Sequence, residues 1–247
     1  MTYVIGEYTD SYIPVVDGVA TCVRNYAKWL NENHCEAYVV APEIPGFEEV
    51  DPFKVYRFKG IPLTNHKPYR AGLPVLDFGY LKEGSELRPS LVHAHSPFGS
   101  GQEALRQSRK YGIPLVATFH SKFYDDFLQY TGSEFIARKA VGFVIKIFKQ
   151  ADSVWTVSNS TAQTLREYGY DGDICIFENG TEYTPASDPA GACARVNEKY
   201  GLGADEKVML FVGQQVLQKN LVKLLEAAAL YRDSGAKFRL LMVGEGY

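Results

Sequence analysis

The sequence is short of cysteine, of net positive charge and of long apolar runs, and each shortage argues against a class of protein. Of its 247 residues only four are cysteines, and no two form a C-x-x-C pair, so a zinc site or redox motif is not indicated. The net charge is −3 and the isoelectric point about 6.0, which provides no basic face for nucleic acid. No stretch reaches the roughly 18 consecutive apolar residues that a membrane-spanning helix needs. We expect no nucleic-acid partner and a protein that is dissolved or lies on a membrane surface.

A secretion signal is also not visible, because the chain begins in a predicted strand rather than in a charged segment followed by an apolar run. Together with the unpaired cysteines, this predicts a reduced, cytoplasmic setting, either in solution or at the inner face of the membrane. Seventeen Tyr and fourteen Phe residues suit contact with carbohydrate or a membrane interface, and equally the packing of a core.

What the sequence does contain is an alternation of short aliphatic runs with longer helical patterns. The predicted strands are residues 3–6, 37–41, 54–58, 91–94, 114–119, 153–157 and 174–177. The predicted helices are residues 18–33, 100–111, 134–150, 159–168 and 218–233. Residues 60–90, rich in Pro and Gly, are predicted to form a long loop or two short strands. The alternation predicts an α/β protein in which helices cover both faces of a parallel sheet.

The character of the sequence changes near residue 181, and this change predicts two domains. We predict a Rossmann-like domain over residues 1–181, an interdomain linker over 182–206 and the start of a second Rossmann-like domain over 207–247. The last segment contains a strand, a helix and a strand only. Two parallel strands cannot bury both faces of a sheet, so we expect this segment to be the first β-α-β unit of a truncated domain.

The loop after the first predicted strand is a candidate phosphate site. It lies beyond the carboxyl end of a strand, where ligands bind in doubly wound folds. Gly18 opens the next predicted helix, and a glycine there lets a phosphate approach backbone N–H groups and the helix dipole. A glycine needed only for the turn would give the same pattern. The dinucleotide fingerprint G-x-G-x-x-G is absent, which disfavours a nicotinamide-dependent oxidoreductase.

Three histidines follow the carboxyl ends of predicted strands. His93 and His95 close one strand and His120 follows another. An imidazole there could bind a sugar hydroxyl or a phosphate, although His93 could equally be a packed side chain with satisfied nitrogens. His93 and His95 share a face of their strand and could chelate a metal ion. No carboxylate or cysteine accompanies them at ligand spacing, so we expect no metal and no other cofactor.

A third motif follows the strand of the second predicted domain. Gly213 ends that strand, and Lys219 with Asn220 starts the next predicted helix. A cation at a helix N-terminus opposes the helix dipole, so an anion such as a pyrophosphate would explain its position. A solvated lysine is the alternative.

Seven motifs in collinear order resemble the GT-B retaining glycosyltransferases of family 4. They are T-D-x-Y-x-P-x3-G-V at 9–19, H-x-H-S-P-F at 93–98, T-F-H at 118–120, V-S at 157–158, E-N-G-T-E at 178–182, V-G-x5-K-N at 212–220 and L-M-V-G-E-G at 241–246. The resemblance covers the whole chain. Through residues 122–130 it is similar within the family to bacterial diacylglycerol glucosyltransferases.

The resemblance implies two Rossmann-like domains facing a cleft, and transfer of a hexosyl group with retention at the anomeric carbon. The donor would be a nucleotide sugar similar to UDP-glucose, held mostly by the second domain, and the acceptor a hydroxyl of a lipid or glycan. By position, the catalytic residues would be His120, beside the transferred sugar, and Lys219, on the departing diphosphate. The other substrate-binding or donor-binding residues would be Asp17, Gly18, Val19, His95, Gln214, Asn220 and Glu245. Positive side chains and helix N-termini replace a metal in this family.

Two departures from the family pattern favour an alternative. Gln214 stands where the family places an arginine, and a neutral hydrogen bond is roughly half as strong as a charge-assisted one. The glutamate-rich donor segment of the family lies beyond Tyr247. The alternative is a non-catalytic, truncated module or subunit that binds an acceptor or a membrane and lacks most of the donor site.

Residues 122–150 combine basic and bulky apolar side chains at helical spacing. This pattern describes an interfacial helix that could lie on anionic lipid. It describes equally well a helix docked on the sheet with a basic edge in water. The family resemblance favours peripheral contact with a membrane.

Overall fold

The computed structural model describes residues 2–63, 69–203 and 206–246. The chain forms two compact units, Met1–Thr181 and Glu182–Tyr247. The strands are β1 Tyr3–Tyr8, β2 Cys35–Pro42, β3 Val55–Phe58, β4 Ile61–Pro62, β5 Arg70–Ala71, β6 Leu91–Ala94, β7 Leu115–Phe119, β8 Ser153–Thr156, β9 Cys175–Ile176, β10 Lys207–Val212 and β11 Phe238–Val243. The helices are α1 Gly18–Glu32, α2 Phe78–Glu83, α3 Gly99–Tyr111, α4 Tyr124–Thr131, α5 Glu134–Phe148, α6 Asn159–Glu167, α7 Pro189–Tyr200 and α8 Leu221–Asp233. Three short 3-10 turns lie at Pro74–Leu76, Gly84–Glu86 and Leu217–Lys219.

The first unit is built on a seven-stranded parallel sheet with the order β3-β2-β1-β6-β7-β8-β9. The chain moves outward from β1 through β2 to β3, then returns to the other side of β1 at β6. The direction of winding therefore reverses between β1 and β6, and in doubly wound sheets ligands bind at this point, beyond the carboxyl ends of the strands. The predicted α/β fold with a parallel sheet is confirmed.

Helices bury both faces of this sheet. Along β2, Tyr38 and Val40 belong to one buried cluster, while Val39 and Ala41 belong to the other, as the alternation of side chains in a strand requires. On the larger cluster lies α5. Its apolar stripe is buried throughout, at Ala137, Val141, Val144, Ile145 and Phe148.

Several elements differ from the prediction. Residues 60–90 contain the antiparallel pair β4 and β5, as one of the two alternatives proposed, and also α2, which the sequence did not indicate. The helix predicted from residue 218 begins at Leu221, because Asn220 adopts the left-handed conformation with φ of 50° and separates it from the preceding 3-10 turn. The six residues of α2 are too few to establish an apolar period.

The predicted linker is also not free of regular structure, because α7 lies inside it. Asp188 caps this helix by accepting a hydrogen bond from the Gly191 N–H, and Pro189 occupies the first turn, where its missing N–H costs nothing. Gly201 ends the helix in the left-handed conformation. The pair Asp188-Pro189 therefore starts a helix within the predicted linker.

The second unit contains the parallel pair β10 and β11 joined by α8. None of the residues described in this unit is buried. Apolar side chains of β10, such as Leu210 and Val212, are 63% and 69% exposed. This is the expected state of a two-stranded sheet, which has too little cover to bury its faces.

Candidate functional site

The sheet brings four polar side chains together at the carboxyl ends of three neighbouring strands. Glu7 lies near the end of β1, directly opposite His93 of β6 in the strand register. His95 follows β6 and His120 follows β7. Glu7, His93 and His95 are each at most 3% exposed, whereas His120 is half-buried. The cluster therefore extends from the interior of the sheet to its surface, beside the point where the strand order reverses.

Hydrogen bonds join Glu7, His95 and His120 in a row. Glu7 Oε2 lies 2.6 Å from His95 Nε2. On the other side of the same ring, His95 Nδ1 lies 2.9 Å from His120 Nε2. The two imidazole rings are stacked, with centroids 5.2 Å apart. We call this row the Glu7–His95–His120 chain.

The electrostatics of the chain hold Glu7 ionised and the two imidazoles neutral. Burial opposes the ionisation of Glu7, but the nearby His93 and the hydrogen bonds from His93 and His95 lower its pKa to about 2. Burial and the neighbouring His93 lower the pKa of His95 to about 4, against the opposing effect of Glu7. Burial, with His95 and His93 nearby, also lowers the pKa of His120 well below its usual range. Near neutral pH the chain is one carboxylate with two neutral rings.

His93 supports this cluster from inside. Its Nδ1 lies 3.1 Å from Glu7 Oε2 and its Nε2 lies 2.7 Å from Thr118 Oγ1. Its ring meets that of Trp155 at an angle of 70°, with centroids 5.1 Å apart. Both nitrogens of His93 therefore have partners. The geometry fits the alternative in which His93 is a packed histidine that buttresses Glu7.

The structure corrects one argument made from the sequence, that the histidines lack a carboxylate or a cysteine for metal binding. Among the described residues, Glu7, His93 and His95 form one group with ligand atoms within 4.8 Å of one another, and Cys22, His95 and His120 form a second. Both groups need His95, whose nitrogens are already hydrogen-bonded within the protein. Burial raises the pKa of Cys22 to about 12, so its thiol is protonated. The donor set fits the hydrogen-bonded chain better than a metal centre.

Glu7 was missed because the first strand was predicted to end at residue 6, whereas β1 continues to Tyr8, and Cys22 because it comes from α1. No spacing along the sequence links either residue to the histidines. The signal that could have identified Glu7 is a charged side chain in a strand that should be buried on both faces, since such a residue needs a partner.

The loop between β1 and α1 places Asp17, Gly18 and Val19 at the same edge of the sheet. Asp17 caps α1: its Oδ1 accepts a hydrogen bond from the Ala20 N–H at 2.7 Å. Its Oδ2 accepts from the Ser11 hydroxyl at 2.5 Å and the Tyr69 hydroxyl at 2.9 Å. Both oxygens of Asp17 are thus occupied in fixing the loop and the start of the helix.

Gly18 is the first residue of α1 and is exposed. A Cβ atom built on it would meet no atom within 4 Å. Its φ also lies outside the left-handed region. Neither packing nor backbone strain therefore requires a glycine at this position, and the space above it is open to a ligand.

Asp10 was not selected from the sequence, although it belongs to the same edge. Its Oδ1 accepts a hydrogen bond at 3.1 Å from the Ser100 N–H in the first turn of α3. Its Oδ2 is buried without a partner among the described residues. Burial raises the pKa of Asp10 to about 6, although hydrogen bonds from Ser100 and Phe98 act in the opposite direction.

In the second unit, the loops after β10 and β11 lie against each other. The Gln215 N–H donates to the Glu245 carbonyl at 2.7 Å, and Gln215 Nε2 donates to the Gly244 carbonyl at 3.0 Å. A Cβ atom at Gly244 would overlap the Gly213 carbonyl oxygen, so the close approach of the two loops requires glycine there. Gln214 and Glu245, two predicted donor-binding residues, belong to these paired loops.

Lys219 and Asn220 lie differently from the prediction. Lys219 ends the 3-10 turn instead of starting α8, and Asn220 is the residue that caps α8, without a hydrogen bond from its side chain. Lys219 therefore precedes the helix by two residues. The structure brings the predicted residues of the first unit to one sheet edge and those of the second unit to another.

Comparison with known proteins identifies a family. The model of the family described as Glycosyltransferase Family 4 matches residues 16–184. An alpha-monoglucosyldiacylglycerol synthase of Acholeplasma laidlawii is 28% identical over 98% of the chain and 63% of its own length. A GDP-mannose-dependent alpha-mannosyltransferase of Mycobacterium tuberculosis is 25% identical over 96% of the chain and 61% of its own length. The chain thus spans about three fifths of these relatives.

A solved structure shares the fold. Sucrose-phosphate synthase from Thermosynechococcus elongatus superimposes with a TM-score of 0.72 at 19% identity, covering 98% of this chain and 62% of that one. The sequence-based assignment to the GT-B type of α/β fold is confirmed. In the described residues, no helix combines the length and apolar character needed to span a bilayer.

Proposed function

Because the chain belongs to glycosyltransferase family 4, we propose that it transfers a hexosyl group from a nucleotide sugar to a hydroxyl of a lipid or glycan, with retention. The observation that carries the proposal is the Glu7–His95–His120 chain, which ends in a half-buried imidazole at the edge where the strand order reverses. Ligands of such sheets bind beyond the carboxyl ends of the strands at this reversal.

His120 contacts the transferred sugar in this proposal. A neutral imidazole held by His95 binds a hydroxyl with little loss of conformational freedom, since the ring is already oriented. Its lowered pKa keeps it uncharged near neutral pH, so it neither attracts nor neutralises a phosphate. We assign charge stabilisation to other groups.

The donor phosphates lie at helix starts. The open space above Gly18 lets a phosphate oxygen reach the first turn of α1, where backbone N–H groups and the helix dipole favour negative charge. For Lys219, in the second unit, the family resemblance alone supports a positive charge on a departing diphosphate. Gln214, in place of the arginine that the family pattern has, adds a hydrogen bond without a charge, so we expect weak donor binding.

The acceptor is a lipid hydroxyl in the version we favour. The relative from A. laidlawii is named for a glucosylated diacylglycerol. Close to the site, the Gly72 carbonyl oxygen lies against Gly99 at the start of α3. The segment that follows exposes Leu73, Leu76 and Phe78, the last at 87%. An exposed apolar segment beside the site suits the acyl chains of a lipid acceptor.

Retention follows from the same analogy. The name of that relative specifies an α product, and a donor such as UDP-glucose carries an α-linked sugar, so transfer between them preserves the configuration. The mannosyltransferase relative is named for GDP-mannose, so the base and sugar of the donor are open to experiment.

Peripheral membrane contact through residues 122–150 is part of the proposal. The outer face of α5 presents Phe135, Lys139, Phe143 and Lys146 in one stripe, with Phe135 70% exposed and Phe143 47% exposed. Apolar rings between basic side chains suit the interface of an anionic bilayer, where rings insert and lysines meet headgroups.

The second candidate function is a non-catalytic module that binds the acceptor or the membrane. One observation favours it, the neutral Gln214 at the position where the family pattern has an arginine. In this case the first unit would hold the lipid and this chain would transfer no sugar.

One experiment separates the two candidates. The purified chain is incubated with UDP-glucose or GDP-mannose and with vesicles that contain diacylglycerol, and both the glycolipid and the free nucleotide are quantified. Glycolipid formation supports the transferase, and nucleotide release would still contradict the non-catalytic module. If neither product forms while the chain binds the vesicles, transfer by this chain is rejected and the module is supported.

A further inference from the structure

We propose that Glu7 and His95 are positioning residues that fix the tautomer of His120, so that His120 presents the lone pair of Nδ1 to the substrate as a hydrogen-bond acceptor. The functional consequence of this tautomer rests on the proposed function, since the tautomer specifies how the site recognises the sugar. The geometry that carries it is the directional Glu7–His95–His120 chain.

The donor and acceptor roles in the chain are fixed first at Glu7. An ionised carboxylate accepts hydrogen bonds and donates none. Because Glu7 Oε2 lies 2.6 Å from His95 Nε2 in a fully buried position, that nitrogen must carry the hydrogen. His93 Nδ1, at 3.1 Å from the same oxygen, donates for the same reason.

His95 then fixes the donor and acceptor in its hydrogen bond with His120. A neutral imidazole has one N–H and one lone pair, so with the hydrogen on Nε2 the Nδ1 of His95 can only accept. Its partner at 2.9 Å is His120 Nε2, which must therefore donate. An imidazolium at His95 would donate from both nitrogens and reverse this bond. Its burial at 2% exposure, with His93 alongside, opposes that charge.

The last step concerns His120 itself. With its hydrogen on Nε2, a neutral His120 keeps a lone pair on Nδ1. No hydrogen bond joins this Nδ1 to a described residue. The ligand group that it binds must therefore bring a hydrogen, as a sugar hydroxyl does and as an ionised phosphate oxygen does not. The chain thus selects a hydroxyl at this point and directs the diphosphate elsewhere.

The hydrogen between His95 Nδ1 and His120 Nε2, which we call the bridging hydrogen, can be located directly by NMR on the 247-residue chain labelled with ¹⁵N-histidine. We expect the hydrogen to show its one-bond coupling to His120 Nε2 and a coupling across the hydrogen bond to His95 Nδ1. We also expect His120 Nδ1 to have the chemical shift of an unprotonated nitrogen at neutral pH. A hydrogen bonded covalently to His95 Nδ1, or a doubly protonated His120, overturns the proposal.

The role of Glu7 is tested with Glu7→Gln, which keeps the volume but replaces the carboxylate by an amide that can accept or donate. We expect the bridging hydrogen to exchange with solvent roughly tenfold faster, because a neutral hydrogen bond is weaker than a charge-assisted one. The matched control is Glu32→Gln at the exposed end of α1, which should leave the exchange unchanged. An unchanged exchange rate in folded Glu7→Gln removes Glu7 from the proposal.

Kinetics add a readout that a merely structural role would not give. If the chain catalyses transfer, Glu7→Gln should lower kcat/KM about tenfold, and it should have no further effect in a His120→Ala background, since both changes act on one group. Additive losses would contradict action through His120. If no transfer is detected but the hydrogen between the two rings is bonded to His120 Nε2, only the proposed function is rejected. If that hydrogen is bonded to His95 Nδ1, this inference is rejected whatever the activity.

Discussion

His120 is the exposed end of a buried hydrogen-bond chain, so its loss should affect chemistry more than folding. We expect His120→Ala to lower turnover by roughly a hundredfold or more, because an oriented group beside the reacting centre is lost. The melting temperature should change little, since the side chain is half-buried and is hydrogen-bonded to one partner. Transfer assays and thermal unfolding on the same preparation measure both.

The matched control is His34→Asn, which replaces an exposed histidine outside the site. Asparagine is chosen because His34 has φ of 68°, a conformation that asparagine tolerates. This variant should retain activity. Full activity in His120→Ala would exclude His120 from the mechanism.

Gly18 provides a test of the proposed phosphate site that does not depend on stability. Because a Cβ at this position meets no atom within 4 Å, Gly18→Ala should fold as well as the parent. A methyl group above the first turn of α1 should nevertheless raise the KM for the nucleotide sugar by roughly tenfold, since it displaces the phosphate. Gly99→Ala is the contrasting variant: its Cβ would overlap the Gly72 carbonyl oxygen, so stability should fall. An unchanged KM in Gly18→Ala would remove the phosphate from this position.

Asp10 should make stability depend on pH in a defined direction. Its pKa rises from 3.8 to about 6 in the folded protein, so the folded state binds a proton more readily than the unfolded one. The carboxyl group therefore lowers the free energy of unfolding above about pH 6, and this loss disappears as the pH falls toward the unfolded value.

We expect Asp10→Asn to be more stable than the parent by about 3 kcal/mol at pH 8 and by only about 1 kcal/mol at pH 4.5. The amide oxygen can still accept from the Ser100 N–H, and the other titrating groups are the same in both proteins. Urea denaturation at the two pH values gives the difference. A stability difference independent of pH would show that Asp10 is not the titrating group.

At this scale the sequence identified the residues that stand at strand ends and missed those that support them. His95, His120 and Gly18 follow from their places after predicted strands, and the family assigned from seven motifs is confirmed by the match over residues 16–184. Glu7 could not be predicted to contact them, since strand order in a sheet is a three-dimensional property. Pairing of β1 with β6 joins residues 88 positions apart, Glu7 and His95.

Among the elements, α5 carries a prediction about lipid. Its buried stripe holds it on the sheet, and its outer face presents Phe135, Phe143 and three exposed basic residues, Arg138, Lys139 and Lys146. Vesicles rich in anionic lipid should sediment the protein at low salt. The bound fraction should fall as salt rises, because exposed charges are screened beyond about 10 Å at 0.1 M.

The double variant Phe135→Ser/Phe143→Ser should reduce sedimentation several-fold without unfolding the protein, since both rings are exposed. Tyr183→Ser, which removes an aromatic ring 81% exposed in the other unit, is the control and should sediment like the parent. Equal sedimentation with neutral vesicles would contradict the electrostatic part of this contact.

The helix that the sequence predicted best, α5, is long and periodic, whereas two of the three helices that it missed, α2 and α4, are short. In α5, fifteen residues supply four turns of a buried stripe, whereas α2 has six residues and α4 has eight. The stability of a short helix depends on the hydrogen bonds that cap its ends. In α2, the Asp77 side chain accepts hydrogen bonds from the N–H groups of Gly79 and Tyr80. Such caps occur equally in turns, so they cannot identify a helix without a period.

For the whole molecule, burial differs strongly between the two units, and local stability should differ with it. The central strands of the first unit are covered on both faces, whereas no described residue of the second unit is buried. We expect amide hydrogens of β10 and β11 to exchange roughly a hundredfold faster than those of β1, β2 and β6, because exchange follows local opening. Hydrogen exchange with mass spectrometry on the intact chain measures this. Equal protection would mean that the second unit is stabilised by contacts outside the described residues.

The position of Trp155 has an optical consequence. The chain contains two tryptophans, and their surroundings differ: Trp29 is 62% exposed on α1, while Trp155 packs between His93 and Phe177. Water therefore shifts the emission of Trp29 to longer wavelength, and an acrylamide quencher reaches it first. With Trp29→Phe, the remaining fluorescence comes from a single indole in contact with the histidine that buttresses Glu7. Changes at the proposed sugar site can then be followed by intrinsic fluorescence, without a label and without turnover.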